Sequence, residues 1–153
     1  MRQLALTIRQ PWAFAIFEEG KSVENRSWKT DYRGRLWIHT SALSFKLDGS
    51  SIKAEEFRTS LAFIGCHGLS KSDYAFFDTT QGSKAFSSII GSVDLVSCIP
   101  PHQPPVNEWH MRGSYGWRIA NPVLLERPIP AKGSLGLWDC TKYLLHGGIE
   151  LCR

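Results

Sequence analysis

The sequence predicts an α+β fold, a small mixed β-barrel with a short helix after the first strand and helical insertions. Three observations lead there. Strand-like runs dominate and helical ones are few. No regular alternation of strand and helix points to a parallel sheet. The first forty residues read strand, Pro-started helix, glycine stop, strand, turn, strand. At 153 residues the chain is long enough to bury one core, so a single domain over 1–153 is expected.

Taken in order, residues 4–8 alternate weakly and hold Leu, Thr and Ile, which suits a first strand. Pro11 stands where a helix accepts proline, in its first turn, and Gly20 where a helix stops. Between them WAFAIF is apolar almost all round, so this helix is expected to be buried on most faces, plugging the end of a barrel. Residues 23–28 and 35–40 read as the next two strands, joined by a polar turn through Asp31 and Gly34. Residues 50–64 place Ile52, Phe57, Leu61 and Ile64 at helical spacing, with Glu55 and Glu56 early, where the helix dipole favours acids.

Residues 65–88 are rich in Gly, Ser, Asp and Lys yet keep Tyr74, Phe76, Phe77 and Phe86; they read as a long excursion pinned by its aromatics. Residues 89–98, IIGSVDLVSC, suit a half-buried strand. Pro100, Pro101, Pro104 and Pro105 forbid regular structure in the loop that follows. Residues 115–120 and 124–129 read as two strands with Asn121-Pro122 turning between them. Residues 135–138 form a short closing strand after Lys132-Gly133.

Lys plus Arg total 18 and Asp plus Glu 14, a net charge of +4. So mild a balance admits a polyanion partner but needs clustering to indicate one. Arg2, Arg9, Lys21, Arg26, Lys29, Arg33 and Arg35 all fall in the first forty residues, against Glu18, Glu19, Glu24 and Asp31, so part of the excess is local. Cys66, Cys98, Cys140 and Cys152 lie far apart with no C-x-x-C, which argues against a zinc finger. No secretory leader precedes the first strand, which argues against a disulfide framework. Cys66-His67 is read as incidental, because adjacent residues rarely point at one metal. No apolar run approaches the roughly 20 residues of a membrane span. A reduced, cytoplasmic protein with no membrane partner, no metal and no cofactor is expected.

The chemistry concentrates between Lys21 and His39. Glu24 and Arg26 are two apart on a strand and share a face, as a salt bridge bracing the barrel mouth or as a base-reading pair. Lys21 follows the helix stop, either capping the last carbonyls or meeting a phosphate or carbonyl. As a nucleophile it would need a pKa lowered by burial. Trp12 reads as core, whereas Trp28 and Tyr32 sit where the chain surfaces and are the stacking candidates. Lys29, Arg33 and Arg35 stand ready to track phosphates or simply to solvate a hairpin. His39 reads as a satisfied core histidine.

These motifs form a set. Gln10-Pro11-Trp12, Gly20-Lys21 and Glu24-x-Arg26 resemble the ASCH domain family, within the wider PUA-like group of barrels, whose pattern is Q-P-W or Q-P-Y, a short helix, then G-x-K-x-x-E-x-R. Here Lys21 follows Gly20 directly. Arg33-Gly34-Arg35-Leu36-Trp37-Ile38, Ile90-Gly91-Ser92-Val93-Asp94-Leu95 and the segment from Asn121-Pro122 to Lys132-Gly133 extend the likeness over nearly the full chain, except 65–88 and the last dozen residues. The resemblance implies a barrel with a cleft beside the first helix, reached by Lys132 and Ser134 if the late loop returns to that helix. It also implies nucleic acid as partner, mostly RNA, with some members acting as small hydrolases. One bacterial branch deacetylates N4-acetylcytidine with the Lys of this segment, a Thr three residues later and a distant Glu. In this chain Lys21 matches the Lys, Glu24 stands at the Thr position, and the distant Glu has no counterpart.

Three readings follow. The first is a nucleic-acid-binding module for RNA or single-stranded DNA, with Lys21, Glu24, Arg26, Trp28, Lys29, Tyr32, Arg33, Arg35, Lys132 and Ser134 in contact. The second is a metal-independent hydrolase of RNA or a modified nucleoside, with Lys21, Glu24 and Tyr32 as its reactive groups. The third is an adaptor that docks a protein partner through the loop of Pro100, Pro101, Pro104 and Pro105.

Overall fold

A computed structural model describes residues 1–46, 49–64 and 86–151. The first strand, β1 (Leu4–Ile8), is followed by α1 (Trp12–Glu18), β2 (Val23–Arg26), β3 (Gly34–Thr40) and α2 (Ile52–Ile64). Then come β4 (Ser88–Ile99), β5 (Tyr115–Pro130), β6 (Leu137–Asp139) and a last helix, α3 (Thr141–His146). The strands form one curled half-barrel sheet in the order β2-β5-β4-β3-β1-β6. β1 and β3 are its parallel pair, and the other neighbours run antiparallel. The mixed sheet of the expected α+β fold is present.

Local signals explain α1. Pro11 precedes its first turn, and the Gln10 side chain accepts the Phe14 N–H at 2.9 Å, supplying a cap that proline cannot. At the other end the N–H of Lys21 bonds back to the Ala15 carbonyl at 3.0 Å across Gly20, which closes the helix and aims the chain into β2. Ala13 and Ile16 join Leu6, Leu36, Ile38 and Trp117 in the main core, while Phe14 and Ala15 pack with Phe57, Ile64 and Phe86. The helix is therefore buried on two sides.

The structure corrects four expectations. β2 ends at Arg26, so Trp28 lies beyond it. The two strands expected at 115–120 and 124–129 are one, β5. Asn121-Pro122 is a bulge in it, with Asn121 at φ 50 and the register against β4 shifting between Ser92 and Asp94. Proline has no N–H to give a ladder, and a bulge absorbs that loss without ending the strand. Asn121 Nδ2 also donates to Asp94 Oδ2 at 2.8 Å. The closing strand begins at Leu137, leaving Leu135 outside it. Finally, α3 was not anticipated; Asp139 Oδ1 accepts the Thr141 N–H at 2.9 Å at its start.

Most of the expected excursion at 65–88 lies outside the described residues; within them, Phe86 packs against Phe57 with ring centroids 6.5 Å apart. Cys66, His67 and Cys152 also lie outside. Cys98 and Cys140 are free thiols, and burial is the main cause pushing Cys140 up to about 12. Among the described residues no helix is long and apolar enough to cross a membrane.

Candidate functional site

The turn after α1 and the strand β2 deliver three charges to one place. Lys21 and Glu24 are only 5% and 8% exposed. Lys21 Nζ donates to Glu24 Oε2 at 2.5 Å, and Arg26 Nη1 stands 3.5 Å from Glu24 Oε1. The period of two along β2 puts Glu24 and Arg26 on one face, and the turn folds Lys21 back beneath them. Each carboxylate oxygen thus meets its own cation. Removing a lone carboxylate from water this far would be costly, and the paired cations offset that cost.

Glu24 is also a partition. On one side lies a cleft of about 1100 Å³ whose walls include Arg9, Trp12, Arg26, His39 and the loop 131–136. On the other lies a recess of about 340 Å³ walled by Trp12, Lys21, Asn25, Phe63 and Trp109. Glu24 and Trp12 line both. The recess is aromatic: the Trp12 and Phe63 centroids are 6.0 Å apart and those of Phe63 and Trp109 6.2 Å. Asn25 holds its rim, donating to the Trp109 carbonyl at 2.7 Å and accepting the Met111 N–H at 2.8 Å. Asn107 adds a bond to Ser22 Oγ at 3.0 Å.

The far wall of the cleft is the late loop. The His39 imidazole Nε2 lies 2.8 Å from the Ala131 carbonyl oxygen, which can only accept, so Nε2 carries a proton. Its Nδ1 lies 3.1 Å from Thr7 Oγ1. Burial holds the ring below the usual histidine range, and the Ala131 bond opposes this only in part. Trp138 stands edge-on to the imidazole at 5.4 Å and donates to Thr7 Oγ1 at 3.2 Å. His39 is a satisfied core histidine, as expected, and it also lines the cleft.

Of the residues singled out in the sequence, Glu24, Arg26, Lys132 and Ser134 line the large cleft, and Lys21 with Glu24 the recess. The late loop faces Trp12 of the first helix across that cleft. Trp28, Lys29, Tyr32, Arg33 and Arg35 are not among the lining residues of either. Trp28 turns inward against Trp117, with centroids 4.6 Å apart at 87°. The Tyr32 hydroxyl donates to the Arg35 carbonyl, and burial is the main cause raising its pKa. The Arg33 guanidinium serves the carbonyls of Thr30 and Tyr32, and Lys29 and Arg35 are exposed. The proposed reactive trio is therefore split: Tyr32 serves its own hairpin, away from the Lys21–Glu24 pair.

Sequence reasoning missed Arg9, Trp12 and Trp109 as lining residues. Trp12 packs against the core, as its apolar helix leads one to expect, and it also lines both cavities. Arg9 stands immediately before Gln10-Pro11-Trp12, a signal that was available. Nothing local marks Trp109, which reaches the site through Asn25. Among the described residues no group of three or more His, Cys, Asp or Glu side chains could hold a metal ion.

Comparison with known proteins agrees with this geometry. The chain is 28% identical over 147 residues to activating signal cointegrator 1 of Mus musculus, and equally to that of Homo sapiens. Each match covers 93% of this chain but 23% of the relative, so the chain spans under a quarter of the length of these proteins. A model of the ASCH domain matches residues 6–125, from β1 through the bulge of β5. That stretch contains the Gln10-Pro11-Trp12 turn, the Lys21–Glu24–Arg26 cluster and all or part of five of the six strands. The family is proposed in general to bind RNA. With the motif, the half-barrel and the family model in agreement, this chain belongs to the ASCH domain family.

Proposed function

We propose that the domain binds a single-stranded nucleic acid, RNA in the first instance, and seats one unpaired nucleotide at the partition between its two cavities. One observation carries the reading: the buried Lys21–Glu24 pair and the Trp12 ring meet where the cleft and the recess adjoin. A carboxylate oxygen with one partner still accepts, and an ammonium still donates. Together they match the mixed donor and acceptor edge of a base. Trp12 and Trp109 offer the planes on which unstacked bases rest, each such contact being worth roughly 1–3 kcal/mol. Arg9, Arg26 and Lys132 place cations around the larger cleft for the phosphates.

Fluorescence anisotropy of a labelled single-stranded RNA across a salt series tests this, with Lys132→Ala and Trp109→Ala beside the wild type. Binding that weakens with salt, with a shallower slope for Lys132→Ala and lower affinity at every salt for Trp109→Ala, supports it. No binding at low salt overturns it. Recovery of shortened RNA, lost in Lys21→Ala, would move the assignment to the hydrolase.

A further inference from the structure

Leu135 is 96% exposed, the highest fraction among the large apolar side chains of the described residues. An exposed leucine on a slack tip would mean little. This one is held out from a fixed loop. The Ala131 N–H donates to the Ser87 carbonyl at 3.0 Å, and the Ala131 carbonyl accepts from His39 at 2.8 Å. Lys132 N–H reaches the Tyr143 hydroxyl at 3.4 Å. Gly133 lies against His39 so closely that a Cβ there would stand 2.5 Å from its Cε1. The Ser134 carbonyl lies 3.3 Å from the Thr7 hydroxyl. Beyond the leucine, Gly136 turns through φ 67 and Leu137 joins the sheet opposite Leu6. Leu135 therefore projects between two anchored points, at the lip of the 1100 Å³ cleft and three residues from the cation of Lys132.

We propose that Leu135 is a wedge that enters a base stack, so that the domain takes a nucleotide from a paired strand into its cleft and acts on hairpin or duplex nucleic acid as well as on free single strands. The inference rests on the cleft holding a nucleotide. Its physical basis is general. An apolar side chain pushed between base steps unstacks them and fills the space left by an extruded base. Extrusion is easiest at mismatched or weakly paired positions, so those are the preferred targets. A rigid loop suits the task, because a wedge that yields before the stack does cannot open it. The arginines of the opposite wall, Arg9 and Arg26, then meet the phosphates of the displaced nucleotide.

The test uses the full chain and two RNAs, a single strand and a hairpin carrying 2-aminopurine at a mismatch in its stem. Anisotropy gives affinity and 2-aminopurine emission reports unstacking. For Leu135→Ala, hairpin affinity is expected to fall about tenfold, clearly more than single-strand affinity, and the emission rise to be lost. Leu135→Met is expected to restore both hairpin signals. The side chain is almost wholly exposed, so an unchanged thermal midpoint is expected in both variants. If the single strand binds but Leu135→Ala leaves hairpin affinity and emission as in wild type, this inference falls and the cleft reading stands. Equal losses on single strand and hairpin also overturn the wedge. If the wild type binds neither RNA, both readings fall.

Discussion

The hydroxyl of Thr7 stands 3.1 Å from His39 Nδ1 and 3.3 Å from the carbonyl of Ser134, and it has one proton for two acceptors. Since His39 Nε2 already donates to Ala131, a neutral ring leaves Nδ1 as an acceptor and draws the Thr7 proton to it. A protonated ring donates to Thr7 instead and releases that proton to Ser134. The histidine at the base of the cleft is thereby coupled to the loop that forms its far wall.

Acid should therefore weaken the fold through His39. Its folded pKa lies below the unfolded value of about 6.5, so the unfolded chain binds the proton more readily. The stability gained by burying a neutral ring is complete above about pH 6.5 and declines as pH falls from there toward the lower folded value. Urea titrations of wild type and His39→Gln at several pH values check this, because Gln can keep a donor for Ala131 and does not titrate. A flatter acid limb in the variant is expected; parallel curves would refute the coupling.

Glu24→Gln should cost far more than Arg26→Ala. Without the carboxylate's charge, Lys21 and Arg26 face each other unneutralised in a buried site, a loss of about 3–5 kcal/mol. Arg26 has a side chain 24% exposed and stands 3.5 Å away, so its removal should cost about 1 kcal/mol or less. Denaturant midpoints of the two variants give the ordering directly.

Two glycines of the late loop should behave differently. Gly133→Ala would put a methyl 2.5 Å from His39 Cε1 and 2.8 Å from Thr7 Oγ1, a crowding of about 1–3 kcal/mol that displaces the loop. Gly136→Ala meets no atom within 4 Å and carries only the cost of φ 67, about 1 kcal/mol. The imidazole resonances of His39 should shift in the first variant and stay in place in the second.

Asn25→Ala should free the rim of the recess. It removes both the donor to Trp109 and the acceptor for Met111, about 1–3 kcal/mol between them. Trypsin should then cut after the exposed Arg112 faster than in wild type. Asn25→Asp, which keeps the acceptor alone, should fall between the two. Equal cutting of all three would mean that Asn25 does not hold the segment.

Much of this architecture was legible in the chain. Pro11 and Gly20 bracket α1 because each acts through its own backbone, whatever surrounds it. The pairing of Glu24 with Arg26 follows from the two-residue period of a strand. The bulge at Asn121-Pro122 was not legible, since the same dipeptide serves a turn or a bulge, and the choice fell to the partner strand β4. Trp12 packs against the core as expected and also borders two cavities, whereas Trp28, expected at the surface, packs edge-on against Trp117, because a half-buried ring follows whatever tertiary neighbour lies behind it.

By itself, then, the sequence determined the order of the elements from β1 to α2, the family motif and the charges that β2 brings together, because these depend on near neighbours along the backbone. Only the tertiary structure decided which charges border a cavity. The far wall of the cleft is held by contacts such as the 2.8 Å hydrogen bond between His39 and Ala131, 92 residues apart. Such a contact is set by the closing of the sheet and by burial around it, and no local pattern in the chain encodes it.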